Sequence, residues 1–209
     1  KFPELITHCD AVQGFLKVPF QVRPLQADLL SISGHKVHGV KGVGALYQKN
    51  GIHLHPTFHG GSQERGLRPG TENVPAIAAF GAAVQTYGST VRERYQAVTE
   101  KKAYLLERLQ ELPNCKIHSV EDASPYIISF SLRPYRSEIL LHFLEKREIF
   151  VSSGSACSKG KNSGVPVLFG ATDAEADSIL RVSLSAETPN TALDALVSSL
   201  QEATKTLLY

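Results

Sequence analysis

Lys36 follows Ser33-Gly34-His35 at the end of an apolar run, Ala27 to Ser33. A lysine partly withdrawn from water loses stability in its charged form, which makes the amine usable as a nucleophile toward a carbonyl. Asp10 stands just beyond another apolar run. A carboxylate of this kind keeps a proton on a pyridinium nitrogen, and Ser33 and His35 offer hydrogen bonds to a phosphate. Amine, carboxylate and phosphate donors at strand ends describe a pyridoxal phosphate site. Taken singly, the same residues also read as a surface lysine and a helix N-cap aspartate. Cys157 sits in Ser152-Ser153-Gly154-Ser155-Ala156-Cys157-Ser158, followed by Lys159 and Lys161. Neighbouring ammonium charges favour its thiolate, which suits a sulfur-carrying nucleophile; in isolation it also reads as an unreactive loop cysteine. His8, His35 and His38 lack the spacing of metal ligands, so no metal is expected.

The elements that must position these groups read as an α/β chain. Leu5-Ile6-Thr7 predicts a buried strand that hands over to a turn or short helix at Asp10 to Gln13. Ala27 to Ser33 and Val43 to Tyr47 predict two more, the first of them buried on both faces, as is the strand before Asp10. A helix is expected from Asn73, with Pro75 in its first turn, to a break at Gly88-Ser89. Val91, Tyr95, Val98, Leu105, Leu109 and Leu112 then mark the apolar stripe of an amphipathic helix ended by Pro113-Asn114. Beyond it the expected order is a strand at Tyr126 to Leu132, a helix at Ser137 to Lys146 and a strand at Ile149 to Ser152. A strand at Leu180 to Leu184 and a helix at Thr191 to Leu207 complete it. The domain reading is 1–88, a linking helix 89–112, and a smaller α+β domain 113–209.

At 209 residues the chain has room for one large core or one core and a smaller one. Its 42% hydrophobic and 20% charged content is that of a folding chain and excludes wholesale disorder. A net charge of +2 without a basic stripe argues against nucleic acid, and no apolar run is long enough to span a membrane. Three separated cysteines, Cys9, Cys115 and Cys157, suit a reducing compartment, so a cytoplasmic place is expected, with a mitochondrial one left open. The chain starts at Lys1 and holds no methionine, so it is expected to be part of a longer product.

The stretches HCDAVQGFLKVPF, ADLLSISGHKVHGVKGVGALY and HGGSQERGLRPGTENVPAIAAFGAA resemble the cysteine desulfurases of the NifS/IscS type, a branch of the fold-type I, class V aminotransferase superfamily. SEILLHFLEKREIFVSSGSACS and RVSL resemble the same family in the same order. The resemblance implies the C-terminal part of the large cofactor domain followed by the small domain, with the N-terminal half of the large domain outside this chain. Two pieces depart from the family pattern: Ser163 to Leu168 after the cysteine segment, and Leu184-Ser185-Ala186 after the arginine motif.

Carried over residue by residue, the resemblance makes Lys36 the lysine that binds pyridoxal phosphate and the acid/base at the substrate Cα. It makes Asp10 the partner of the ring nitrogen and Gln13 that of the phenolic oxygen. Ser33 and His35 become phosphate ligands, and Thr71 a phosphate ligand reaching in from a partner subunit, which implies a homodimer. Arg181 matches the clamp on the substrate carboxylate, and Cys157 the persulfide-forming nucleophile; Cys9 and Cys115 are left as structural. The implied activity converts L-cysteine to L-alanine and passes sulfur to an acceptor protein for iron–sulfur cluster or thio-cofactor assembly. A selenocysteine lyase or another class V enzyme remains an alternative, as does a non-catalytic interaction module. Because most strands of the family's sheet lie in the absent N-terminal segment, the isolated chain is expected to expose apolar sheet surface and not to form a stable monomer.

Overall fold

The computed structural model describes residue 2, residues 4–153 and residues 164–207; Cys157 lies outside them. Two compact units divide between Glu93 and Arg94.

The first unit holds β1 (His8–Asp10), a short helix α1 (Val22–Leu25), β2 (Leu29–Ser33), β3 (Gly44–Gln48) and α2 (Val74–Gly88). The strands form one sheet in the order β1-β2-β3, with β1 parallel and β3 antiparallel to β2. Pairing begins at Thr7, whose carbonyl accepts from the N–H groups of Asp28 and Leu29, both at 3.0 Å. The Asp28 carboxylate reinforces that start: Oδ2 accepts from Thr7 N at 2.9 Å and from Thr7 Oγ1 at 3.1 Å, while Oδ1 accepts from Lys49 Nζ at 2.9 Å. One side chain thus ties the entry to β1 and the exit of β3 to the base of β2.

This arrangement corrects two expectations. The first strand is His8–Asp10 rather than Leu5 to Thr7, because Leu5 and Ile6 precede the point where a neighbouring strand offers hydrogen bonds. Nor is it buried on both faces: among the described residues β1 stands at the edge of the sheet, only Cys9 in it is half-buried, and Leu5 and Ile6 are 65% and 57% exposed. In β2 only Leu30 is fully buried. The helix α2 begins as expected, its Asn73 side chain accepting from Ala76 N at 3.2 Å with Pro75 in the first turn, and it buries the stripe Ala76, Phe80, Ala83.

The second unit contains the body of α3 (Val91–Gln110), then β4 (Cys115–Ile117), β5 (Ile127–Leu132), α4 (Ser137–Glu145), β6 (Ser152–Ser153), α5 (Gly164–Leu168), α6 (Asp173–Asp177), β7 (Ile179–Ser183) and α7 (Asn190–Thr206). Its antiparallel sheet runs β4-β5-β7-β6. Alternate residues Ile128 and Phe130 of β5 lie opposite Val182 and Leu180 of β7, giving one apolar face. That face joins Leu105 and Leu109 of α3, Leu140 and Leu144 of α4, and Val197 and Leu200 of α7 in a single core. Each such buried aliphatic side chain contributes about 1.5–3 kcal/mol. The strand expected at Ile149 to Ser152 shrinks to Ser152–Ser153, because Ile149 N is still bonded to Leu144 O, closing off α4. Among the described residues no helix is long and apolar enough to cross a membrane.

Three bonds from Asp28 hold its carboxyl at about 2, below the ordinary 3.8; the Thr7 N–H acts most strongly, then the Lys49 ammonium. A depressed folded-state value means that its stabilisation is complete above the unfolded value and is lost as pH falls toward 2. Asp28→Asn is therefore expected to lower the melting temperature at pH 7, with the gap between unmodified protein and variant narrowing from pH 4 to pH 2. Thermal unfolding followed across that range checks it; a gap independent of pH contradicts it.

Candidate active site

The register of β1 against β2 sets the site. Asp10 pairs with Ser31, and Ala11 N donates to Ser31 O at 2.9 Å. Because the two strands are parallel, the turn after Asp10 and the turn after Ser33 leave the sheet at the same edge, where α/β folds gather ligand groups.

After Ser33 the chain makes a single helical turn, Gly34–Val37, which carries His35 and Lys36. Its conformation is forced by close packing. A Cβ on Gly34 would stand 3.0 Å from Val43 Cγ1 and 3.2 Å from the ring of Phe80, and one on Gly44 would stand 2.5 Å from the Ile32 carbonyl oxygen. Gly34 N donates to Val43 O at 2.9 Å, fixing the turn to the chain that leads into β3. After Asp10 the chain coils through Phe15 N to Ala11 O at 2.8 Å and Val18 N to Gly14 O at 2.8 Å. Phe15 meets Phe80 edge to face at 6.2 Å. Phe80 of α2 therefore backs both turns, and an aromatic pair of this kind adds about 0.5–1.5 kcal/mol beyond the area it buries.

On this scaffold the structure brings together five of the residues singled out from the sequence. Asp10 is exposed, its Oδ1 accepting from Val12 N at 3.0 Å, which leaves Oδ2 for a ligand. Gln13 follows in the same turn, its Oε1 accepting from Lys17 Nζ at 2.9 Å. Ser33 Oγ and His35 Nδ1 are 2.8 Å apart, so the two expected phosphate donors are bonded to each other. Lys36 is half-buried, and its amine has neither a hydrogen-bond partner nor a counter-ion among the described residues. Thr71 is not part of this group: it is exposed, two residues before the cap of α2, and makes no hydrogen bond to Ser33 or His35.

Arg181 belongs to the second unit. It stands on β7 opposite Ser129 and Ser152, and its Nη2 donates to Ser152 Oγ at 3.3 Å. Its Nε is buried without a partner among the described residues, so the guanidinium keeps donor capacity that a carboxylate would satisfy. Ser152 lies in β6, five positions before Cys157. Burial pushes the Cys115 thiol up to about 11, away from the thiolate form that a nucleophile needs. Among the described residues no group of His, Cys, Asp and Glu is placed to hold a metal.

Lys17, Phe80 and Ser152 were not singled out from the sequence. Lys17 carried a usable signal, a spacing of four from Gln13 in a stretch that coils. Phe80 reads as an ordinary apolar helix position, and Ser152 emerges only from the register of β6 against β7.

The donor set suits pyridoxal phosphate. A free amine can take its aldehyde, a carboxylate its protonated ring nitrogen, an amide its phenolic oxygen, and a hydroxyl with an imidazole its phosphate. The model of the class V aminotransferase family matches residues 1–196. A cysteine desulfurase IscS of Clostridium botulinum is 35% identical over 95% of this chain and 51% of its own length. A cysteine desulfurase of Rhodobacter capsulatus is 34% identical over 93% and 52%. Among solved structures, a NifS-like protein from Rickettsia africae is 31% identical with a TM-score of 0.87, over 96% of this chain and 54% of that one. A structure of SspA in complex with cysteine is 31% identical with a TM-score of 0.69, over 88% and 52%. The chain spans about half the length of the curated relatives it matches. With the family pattern running through nearly all of its residues and the expected groups gathered at one sheet edge, the chain belongs to the class V aminotransferases.

Proposed function

We propose that this chain supplies the cofactor lysine, the substrate clamp and the sulfur-accepting cysteine of a pyridoxal phosphate-dependent cysteine desulfurase. The observation that most supports this reading is the Lys36 amine, unpaired among the described residues, at the same sheet edge as the Asp10 carboxylate and the Ser33–His35 pair. The relatives named cysteine desulfurase supply the substrate.

When bound, pyridoxal phosphate accepts the electron pair left on the substrate Cα. The remaining work belongs to the chain's own residues. Lys36 holds the cofactor and moves the Cα proton; Asp10 keeps the ring nitrogen protonated, so that the pair has somewhere to go. Gln13 donates to the phenolic oxygen, and Ser33 and His35 to the phosphate. Arg181 takes the substrate carboxylate through a planar fork of donors. The Cys157 thiolate attacks the substrate sulfur. Its new S–S bond forms as the substrate's C–S bond breaks, so L-cysteine and the enzyme thiol become L-alanine and an enzyme persulfide. An acceptor protein then takes the sulfur, for iron–sulfur cluster or thio-cofactor assembly. The exposure of Thr71, which makes no hydrogen bond to its own Ser33 or His35, supports its reaching a partner subunit's phosphate in a homodimer. Three widely separated cysteines, an odd number, suit a reducing setting, cytoplasmic or mitochondrial.

Two outcomes are expected. Borohydride reduction of the protein with pyridoxal phosphate, followed by peptide mapping, should place the label on Lys36; label on Lys41, which is exposed in the connection to β3, contradicts the assignment. Cys157→Ala should keep the cofactor's visible band while alanine formation from L-cysteine falls at least about a hundredfold, as expected on loss of a nucleophile. The corresponding change at Cys115 should leave turnover nearly unchanged. Alanine production by Cys157→Ala at the unmodified rate contradicts the role given to Cys157.

A further inference from the structure

The turn that follows Asp10 contains a contact the catalytic reading does not use. Lys17 N and Val18 N both close onto Gly14 O, with Leu16 at a positive φ of 54° before them, and there Lys17 Nζ donates to Gln13 Oε1 at 2.9 Å. An ammonium carries three donors and no acceptor, so it selects the oxygen end of an amide. The two ends of a glutamine amide are nearly equal in shape, and only neighbours decide which points where. Held by Oε1, Gln13 has its Nε2 donors left to offer.

We propose that Lys17 is a positioning residue: by holding Oε1 of Gln13 it turns the amide so that Nε2 is the end presented, as a donor, to an anionic ring oxygen of the cofactor. This rests on the cofactor reading above. With the amide reversed, Oε1 would meet that anionic oxygen, and an attractive contact would become a repulsive one. Independent geometry places Lys17 beside the site. Phe15, two residues before it, packs on Phe80, the same ring that lies over Gly34 next to His35 and Lys36. Lys17 is half-buried; burial first, and the charge of Lys36 second, hold its ammonium below the ordinary value. Lys36 is the charged group that acts on it, so the two amines share one neighbourhood. The spacing from Gln13 to Lys17 thus serves to fix the direction of one amide.

The test is a pH titration of the visible band of protein loaded with pyridoxal phosphate, compared among the unmodified protein, Lys17→Met, Lys17→Arg, Gln13→Ala and the Lys17→Met/Gln13→Ala double variant. A donor on the ring oxygen lowers the pH at which the band converts. Lys17→Met should therefore raise that midpoint by roughly half to one pH unit, the equivalent of one hydrogen bond. Lys17→Arg, which also only donates, should stay near the unmodified value. In the Gln13→Ala background Lys17→Met should add little, because the residue it acts through is gone. If circular dichroism shows Lys17→Met unfolded, Lys17→Gln replaces it in both backgrounds, since an amide can donate or accept and fixes no direction. An unchanged midpoint in the neutral variant overturns the proposal, as does an equal shift with Gln13 removed, which would mark a direct charge effect. A loaded protein with no visible band at all refutes the cofactor reading and this proposal together; a band indifferent to Lys17 refutes this proposal alone.

Discussion

Parallel pairing of β1 with β2 is the constraint on which the site depends. Were the strands antiparallel, the residue after Asp10 and the residue after Ser33 would leave the sheet at opposite edges, and no ligand of ordinary size would reach both. The register is set at the other end of the strands, where Thr7 and Asp28 exchange backbone and side-chain bonds and Lys49 joins from β3. A slip of one residue would turn Asp10 to the opposite face. A carboxylate at the opposite end of β2 from the lysine turn thus decides where the chemical groups stand.

Given the register, packing fixes the turns. Phe80 lies against Gly34 on one side and Phe15 on the other, so a single ring of α2 supports both the lysine turn and the coil that carries Gln13. The close approach at Gly34 and Gly44 leaves little space for the lysine turn to relax, and a preorganised site loses less freedom when a ligand binds. Arg181 is prepared differently. Its strand is held between β5 and β6, one Nη bonds Ser152, and the buried Nε keeps its donor unspent among the described residues.

Much of this was legible in the sequence because the site residues follow apolar runs, and apolar runs mark strands. Asp10, Ser33, His35 and Lys36 were found in that way and Gln13 through the family resemblance, and all five gather at one edge. The helix from Asn73 was legible from its cap and proline, and α3 from its stripe of Val98, Leu105 and Leu109. What the sequence could not supply was partnership. Leu5 and Ile6 are apolar enough for a strand, yet among the described residues no strand lies beside them, and they stand exposed. Three-residue β4 is too short for alternation to show, and Ile149 reads as strand although its N–H closes the end of α4. The Lys17–Gln13 pair needed the coil after Asp10, which no periodicity over so few residues establishes.

The central claim is that one sheet edge presents an amine and a carboxylate to opposite ends of the same cofactor. A crystal structure of the protein grown with pyridoxal phosphate tests it most directly. The account predicts density continuous with Lys36 Nζ, the Asp10 carboxylate within hydrogen-bond distance of the ring nitrogen, and the phosphate beside Ser33 and His35. Cofactor density joined to another lysine, or a ring nitrogen turned away from Asp10, would contradict it.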